Sequence, residues 1–360
     1  FGWGEMIVPV ETRVGPQQRI FSISQSIPWF GTLGLKSDAA RAQADAADAR
    51  VDGRALAVER EIRAAWLELS YLQGAVGAVT RHLDLAVQAE RVTRSAYESG
   101  EGSYADLLTA QIELGRIETR LAGLEDKIRP TTVRLNAAAG LDPQASSPPT
   151  ADLEAVPVGD DLPDLTALTA ILESHNPELA ARRHEQESRR RSVDLAGKSS
   201  YPDLAVGLDY IMTGPAEMEG VEDSGKDPVI ARVAVSIPLW GGQAGAERRT
   251  SAGMMRAAGA DLADARLRLQ SELEAAHFAL RDAARREVLY TDTMLSRGRQ
   301  ALDVTMARYT AGQASFQDLI EARRTLLDLE LSRLRAATDR RLAWNDLITL
   351  LGTDPAREEG

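Results

Sequence analysis

Carboxylates and hydroxyls at a fixed spacing are the first chemistry this chain offers. The stretch Tyr309-Thr-Ala-Gly312-Gln-Ala-Ser315-Phe-Gln-Asp318-Leu319-Ile-Glu321 interrupts two long helical patterns. Tyr97-Glu-Ser-Gly100-Glu-Gly-Ser103-Tyr-Ala-Asp106-Leu107 repeats its Tyr-x-x-Gly-x-x-Ser-x-x-Asp-Leu spacing 212 residues earlier. Asp106 and Asp318 stand where a helix begins, a place the macrodipole makes favourable for an acid. Gly100 and Gly312 suit the positive φ of a helix end. Tyr97 and Tyr309 either clamp neighbouring hairpins by hydrogen bonds or plug the seam near the turn. Both stretches read as tips of helical hairpins, and neither contains catalytic machinery. The four histidines, His82, His175, His184 and His277, show no H-x-x-x-H or H-E-x-x-H spacing, and the seven Met residues form no regular stripe. No Gly-rich phosphate loop or Gly-x-Ser-x-Gly elbow is present. With no cysteine, thiol catalysis, disulfides and Cys-based metal sites are excluded. The sequence therefore predicts no enzyme, no cofactor and no metal site.

The elements that must hold those tips are long. Ala, Arg, Leu, Glu and Asp dominate and aromatics are only 5%, which favours long helices with thin apolar seams over a thick core. The net charge of −12 opposes nucleic-acid binding, which needs a surplus of cations. No stretch has the roughly 20 apolar residues of a membrane-spanning helix, an observation that leaves β-barrel strands open. The chain starts at Phe1 without an initiator Met or a signal peptide, so a processed or trimmed product is expected.

In chain order, Phe1 to Thr12 is ambiguous, and Val14-Gly-Pro-Gln-Gln18 supplies turn chemistry. Phe21, Ile23 and Ile27 then alternate with Ser22, Ser24 and Ser26 until Pro28-Trp29-Phe30-Gly31 ends the strand. A helix follows from about Leu33 to Glu98, a rod on the order of 100 Å. A second runs from about Tyr104 to Ala139 with a coiled-coil seam at Leu114, Ile117, Leu121, Leu124 and Ile128, and with Pro130 expected to kink it. Gly140-Leu-Asp-Pro143 stops it. After a Ser/Pro/Asp-rich loop at 144–162, a short helix is expected at 163–175, and Asn176-Pro177 starts another that runs to about Lys198. Strands follow at Leu204–Met212 and Ala231–Ile237, separated by an acidic loop, and Pro238-Leu-Trp240-Gly241-Gly242 closes the second. A further long helix spans about 243–310, and a return helix ends at Leu351, before Gly352-Thr-Asp-Pro355.

The second half restates the first. Ile27-Pro28 matches Ile237-Pro238 at an offset of 210, Ala64-Ala65 matches Ala275-Ala276 at 211, and Tyr97/Tyr309 and Gly140/Gly352 match at 212. The repeat unit is strand, strand, long helix, tip, return helix, with the first copy cut short at its start. The strands are either half-buried hairpins packed on helices or one wall of a lipid-facing barrel. Four strands cannot close a barrel, and thin-seamed rods cannot cover a greasy sheet, so a ring of identical subunits is the economical closure.

These motifs together resemble the TolC-type outer-membrane efflux proteins. The resemblance covers the whole chain. It rests on Ser26-Ile27-Pro28-Trp29-Phe30-Gly31, Ser236-Ile237-Pro238-Leu239-Trp240-Gly241, the two tips, Asn176-Pro177-Glu178-Leu179 and the two Gly-x-Asp-Pro stops. It implies a mainly α fold with a small β part: tandem duplicated helical hairpins forming a trimeric periplasmic tube, and four strands per chain in a 12-stranded barrel. The implied organisation is a truncated β-hairpin at 1–30, a helical hairpin at 31–143 and an equatorial region at 144–176. A helix at 177–200 leads to a second β-hairpin at 201–241, followed by a helical hairpin at 242–352 and a tail at 353–360. The implied role is an outer-membrane exit duct for drugs, toxic compounds, metal ions or secreted proteins, with no catalysis. The implied partners are two further copies, a periplasmic adaptor, an inner-membrane pump of the RND type and outer-membrane lipid. The resemblance makes Asp318 and Glu321 the acidic ring that narrows the periplasmic mouth. It makes Tyr97, Gly100, Ser103, Asp106, Leu107, Tyr309, Gly312, Ser315 and Leu319 the adaptor-docking tips. The reading from a different class is a soluble coiled-coil scaffold that uses its strands as a cap.

Overall fold

The computed structural model describes residues 2–12, 15–146, 156, 158, 164–216, 218–220, 222–237 and 241–354. Outside them lie Arg13 and Val14 of the first turn, Pro238-Leu-Trp240 after the last strand, most of the 147–163 loop and the tail from Pro355. The chain divides into two compact units, Phe1–Asp48 with Ala181–Asp264, and Ala49–Ala180 with Ala265–Gly360.

The first unit is built on an antiparallel sheet of β1 (Gly2–Thr12), β2 (Gly15–Ile27), β3 (Asp203–Thr213) and β4 (Val229–Ser236), in that spatial order. The ambiguous opening segment becomes a strand because β2 gives it a partner, with Trp3 opposite Phe21 and a register shift between Glu5 and Val10. Pro9 is tolerated there because β1 is an edge strand. Cross-strand register stacks Phe21 beside Tyr210 and Val229, Ile23 beside Leu208 and Ala231, and Ile27 beside Leu204 and Val235. That apolar face is the uncovered one: Phe21, Ile23, Leu208 and Tyr210 are exposed and Val233 reaches 76%, while on the opposite face Asp209 and Ile211 are only 5% and 6% exposed. Of the two alternatives for the strands, a hairpin with its greasy side packed on helices does not fit this face. Among the described residues β1 and β4 each pair on one side only.

Helical continuity is set by the absence of breakers. α1 runs from Thr32 to Glu98, α2 from Tyr104 to Ala138, α3 from Leu165 to His175 and α4 from Pro177 to Ala196. α5 (Gly241–Val288) continues through a π-helical segment, Leu289–Met294, into α6 (Leu295–Thr310), and α7 spans Phe316–Leu351. Pro130 does not end α2. It is exposed, so the carbonyl it leaves without a donor can meet water, and Thr131 and Thr132 donate their hydroxyls to the carbonyls of Lys127 and Ile128 at 2.8 and 2.9 Å.

In the second unit the predicted α2 seam is the packing surface. Ile117 is buried with Ala75, Ala78 and Val79 of α1 and Leu327 and Leu331 of α7, and Leu114, Leu121 and Leu124 close over them. Ile128 joins Leu135, Ala65 and Leu69. Small residues let the helices approach closely: a Cβ on Gly298 of α6 would lie 2.6 Å from the Leu329 methyl of α7. Each Leu withdrawn from water contributes about 1.5–3 kcal/mol. Charged pairs bound the seam, with Arg341 of α7 donating to Glu287 of α5 at 3.0 Å and Arg335 of α7 to Glu68 of α1 at 2.7 Å.

The π-helical segment accounts for the second step, from 211 to 212, in the offset between the halves. Ala64 and Ala65 correspond to residues 211 further on, whereas Leu83, Gln88 and Val92 correspond to Leu295, Gln300 and Val304, 212 further on. One extra residue therefore falls between Ala276 and Leu295, the interval in which the Leu295 N–H bonds the Tyr290 carbonyl five residues back. A widened turn absorbs that residue without rotating α6 out of register. Deleting exposed Thr291 should convert the turn to plain α-helix and leave the melting temperature nearly unchanged. Deleting exposed Gln300 should rotate the α6 tip by about 100° and lower melting steeply. Equal melting of the two deletions in thermal circular dichroism would refute this account.

Candidate functional site

Each tip is closed by the same two local devices. At the end of α1, Glu101 N–H bonds Ala96 O at 2.9 Å and Gly100 N–H bonds Tyr97 O at 3.0 Å, with Gly100 at φ 78°. At the end of α6, Gln313 N–H bonds Arg308 O at 2.8 Å and Gly312 N–H bonds Tyr309 O at 3.0 Å, with Gly312 at φ 71°. These are Schellman closures, which need a left-handed residue at the glycine position. A serine then caps each return helix. Ser103 Oγ accepts from Ala105 N–H at 3.1 Å, and Ser315 Oγ accepts from Asp318 N–H at 3.1 Å.

The second tip goes further. Asp318 Oδ2 accepts from the Ser315 N–H at 2.9 Å and from the Ser315 hydroxyl at 2.8 Å, completing a capping box. Those bonds, the backbone one first, hold the Asp318 carboxyl below the usual carboxylate range. A depressed folded-state value means that its contribution is present above the unfolded carboxylate range and lost as pH falls through the lower folded value. Ser315→Ala should cost about 1 kcal/mol near neutrality. That difference should shrink in acid, where the carboxylate half of the capping box is already lost, and urea titrations at both pH values check it.

Aromatic pairs span both turns, Tyr97 with Tyr104 at 5.3 Å and Tyr309 with Phe316 at 6.1 Å between ring centroids. Phe316 packs with Ala110 and Ile320, so the α7 start is seated against α2. Tyr97, Gly100, Ser103, Tyr309 and Gly312 are exposed, and Asp106 and Ser315 lie at the two helix starts. Leu107 and Leu319, 7% and 4% exposed, pack the tips from within.

Behind the second tip lies a group of charges that the sequence reading missed. Arg324 of α7 donates to Glu113 of α2 at 2.6 Å and to Glu321 at 3.1 Å. Glu113 is buried, and its hydrogen bond raises the Arg324 guanidinium further. Glu321 is thus an exposed acid already ion-paired within its own chain. Six residues further along α7, Glu330 Oε2 faces His82 Nε2 of α1 at 3.4 Å, and His82 holds that carboxyl below its ordinary range. Near the first tip, Glu90 takes a bond from Arg94 at 2.5 Å and one from Gln111 of α2 at 3.3 Å. A signal for Glu113 was present: it falls between Ala110 and Ile117 at the i+3, i+4 step of an otherwise apolar seam. Among the described residues no group of three or more His, Asp or Glu side chains is placed to hold a metal ion.

The chain thus combines a sheet that exposes its greasy face with seamed helices that end in capped tips. The chain belongs to the outer membrane efflux protein family, whose profile matches residues 16–141 and 168–353, and such proteins are channels and not enzymes. Among its relatives is outer membrane protein OprJ of Pseudomonas aeruginosa, 22% identical over 326 residues that span 90% of this chain and 67% of OprJ. The fold matches the outer membrane protein VceC of Vibrio cholerae with a TM-score of 0.77 at 18% identity, covering 98% of this chain and 85% of VceC. It matches the open state of the Neisseria gonorrhoeae MtrE outer membrane channel with a TM-score of 0.78 at 17% identity, covering 94% and 74%. The protein is an exit duct of a tripartite efflux system in the bacterial outer membrane, with its helices in the periplasm.

Proposed function

We propose that three copies of this chain close one 12-stranded barrel and one helical tube, and that a periplasmic adaptor and an RND-type pump feed the tube with small toxic compounds, drugs or metal ions. The observation that carries this reading is the uncovered apolar face on a four-stranded sheet whose two edge strands lack outer partners among the described residues. Such a face belongs against lipid, and such edges belong against other copies. A soluble scaffold would leave both in water. In this arrangement 144–176 is the equatorial region, 177–200 leads to the barrel, and the tips at 97–106 and 309–321 form the periplasmic mouth.

The exposed tip residues Tyr97, Gly100, Ser103, Tyr309, Gly312 and Ser315, with the half-buried Asp106 and the buried Leu107 and Leu319 behind them, receive the adaptor, and Asp318 and Glu321 narrow the passage. Each acid also has a local task, Asp318 in its capping box and Glu321 with Arg324. Native mass spectrometry from detergent should give three times the 39.0 kDa of the chain. A monomer that stays dispersed without detergent would refute the assembly. Alanine at both 318 and 321 should raise single-channel conductance in a planar bilayer, and unchanged conductance would count against the gate.

A further inference from the structure

In a chain of net charge −12, the end of α4 and the first turns of α5 are basic: seven Arg and Lys lie within 189–198 and 241–256, against Asp194 and Glu247. Arg190 and Arg191 share Glu187 at 3.9 and 2.8 Å. Arg248 ties the end of α4 to α5 by donating to Gly197 O at 2.9 Å and Ser200 Oγ at 2.7 Å. Arg189, Arg249 and Arg256 are exposed and have no ion pair among the described residues. Arg189 reaches only the Met254 sulfur, at 3.9 Å.

An aromatic shelf lies between these cations and the apolar strands. Trp29 stacks on Tyr201 at 5.3 Å and 18°, Phe30 meets Trp29 edge-on at 5.7 Å, and the Lys198 ammonium sits 5.4 Å above the Tyr201 ring. Phe30, Leu33 and Ile237 project from this level into solvent. Two chain paths give the same order. From β2 into α1 it runs apolar strand, Trp29-Phe30, helix; from β3 back into α4 it runs apolar strand, Tyr201, Lys198, then the arginines. Hydrocarbon, amphipathic ring and cation is the order of a bilayer boundary, and phosphate is what a guanidinium fork there would meet.

We propose that Arg189, Arg249 and Arg256 form a collar that binds the phosphates of anionic phospholipid in the leaflet on the helix side of the sheet. The proposal rests on the reading that the apolar sheet face meets lipid. The test uses the full chain in detergent, incubated with vesicles of phosphatidylglycerol and phosphatidylethanolamine, with retained lipid counted by native mass spectrometry. The wild type should retain phosphatidylglycerol over phosphatidylethanolamine by at least about tenfold. The triple variant Arg189→Gln, Arg249→Gln, Arg256→Gln should lose that preference while keeping its melting temperature and its total bound lipid. Equal retention by the wild type, or an unchanged preference in the triple variant, would overturn the collar alone. Full displacement of the lipid by inorganic phosphate would reassign the site to a free anion. Retention of neither lipid would overturn the membrane reading along with the collar.

Discussion

Gly352→Ala should abolish the folded state under conditions where Gly100→Ala only weakens it. Both glycines have positive φ, 83° and 78°, and for a side chain a left-handed residue costs about 1–2 kcal/mol. At Gly100 nothing lies within 4 Å of an added Cβ, so that strain is the whole effect. At Gly352 the added Cβ would lie 2.4 Å from the His175 carbonyl oxygen and 3.1 Å from Pro177 Cδ. These are backbone and ring atoms that cannot swing aside. Asn176 makes the region stiffer, because its amide donates to Leu350 O at 2.8 Å while its Oδ1 accepts from Leu179 N–H at 3.0 Å and so caps α4. The Asn-Pro motif and the Gly-x-Asp-Pro stop are therefore two halves of one joint between α3, α4 and α7. Chemical denaturation of both variants measures the difference, and similar losses would show that the joint yields.

Arg324→Ala should be the most damaging single change to a charged residue near the second tip. It takes from the buried Glu113 its cation at 2.6 Å, leaving the exposed Arg116 at 3.9 Å, and frees Glu321. Removing one partner of a buried pair costs about 3–5 kcal/mol, whereas replacing both by apolar groups of similar size is often neutral. The double variant Glu113→Met, Arg324→Met should therefore recover most of the stability lost in Arg324→Ala. A double-mutant cycle in urea tests this, and additive losses would mean that the two charges act independently.

The parts of the fold visible in the sequence were those decided by local chemistry. The tips were legible because Schellman glycines and serine caps satisfy helix ends within a few residues, and Gly100, Ser103, Gly312 and Ser315 all do so. The α2 seam was legible because its period is that of the helix it forms. What the sequence hid was decided by partners far along the chain. β1 has no clear pattern of its own and is a strand because β2 pairs with it. The bond from Arg324 to Glu113 joins positions 211 residues apart, so neither residue announces the other. Asp318 and Glu321 were visible as acids at a tip, but not what each carboxylate touches. The π-helical turn left a trace as a one-residue drift in the repeat, although the drift alone does not say how the backbone would absorb it.

The sheet's two bare edges also bear on how this protein is made. A four-stranded sheet cannot close on itself, and a greasy face with unpaired strands on both sides would aggregate in an aqueous compartment. A lone chain therefore has no finished form to reach before it meets the membrane. In the trimer proposed above, its strands must be escorted or kept unfolded on the way, and insertion and assembly become one event. The amount of mature duct in that arrangement depends on how many chains arrive together, so a modest fall in synthesis removes more than its share of working channels.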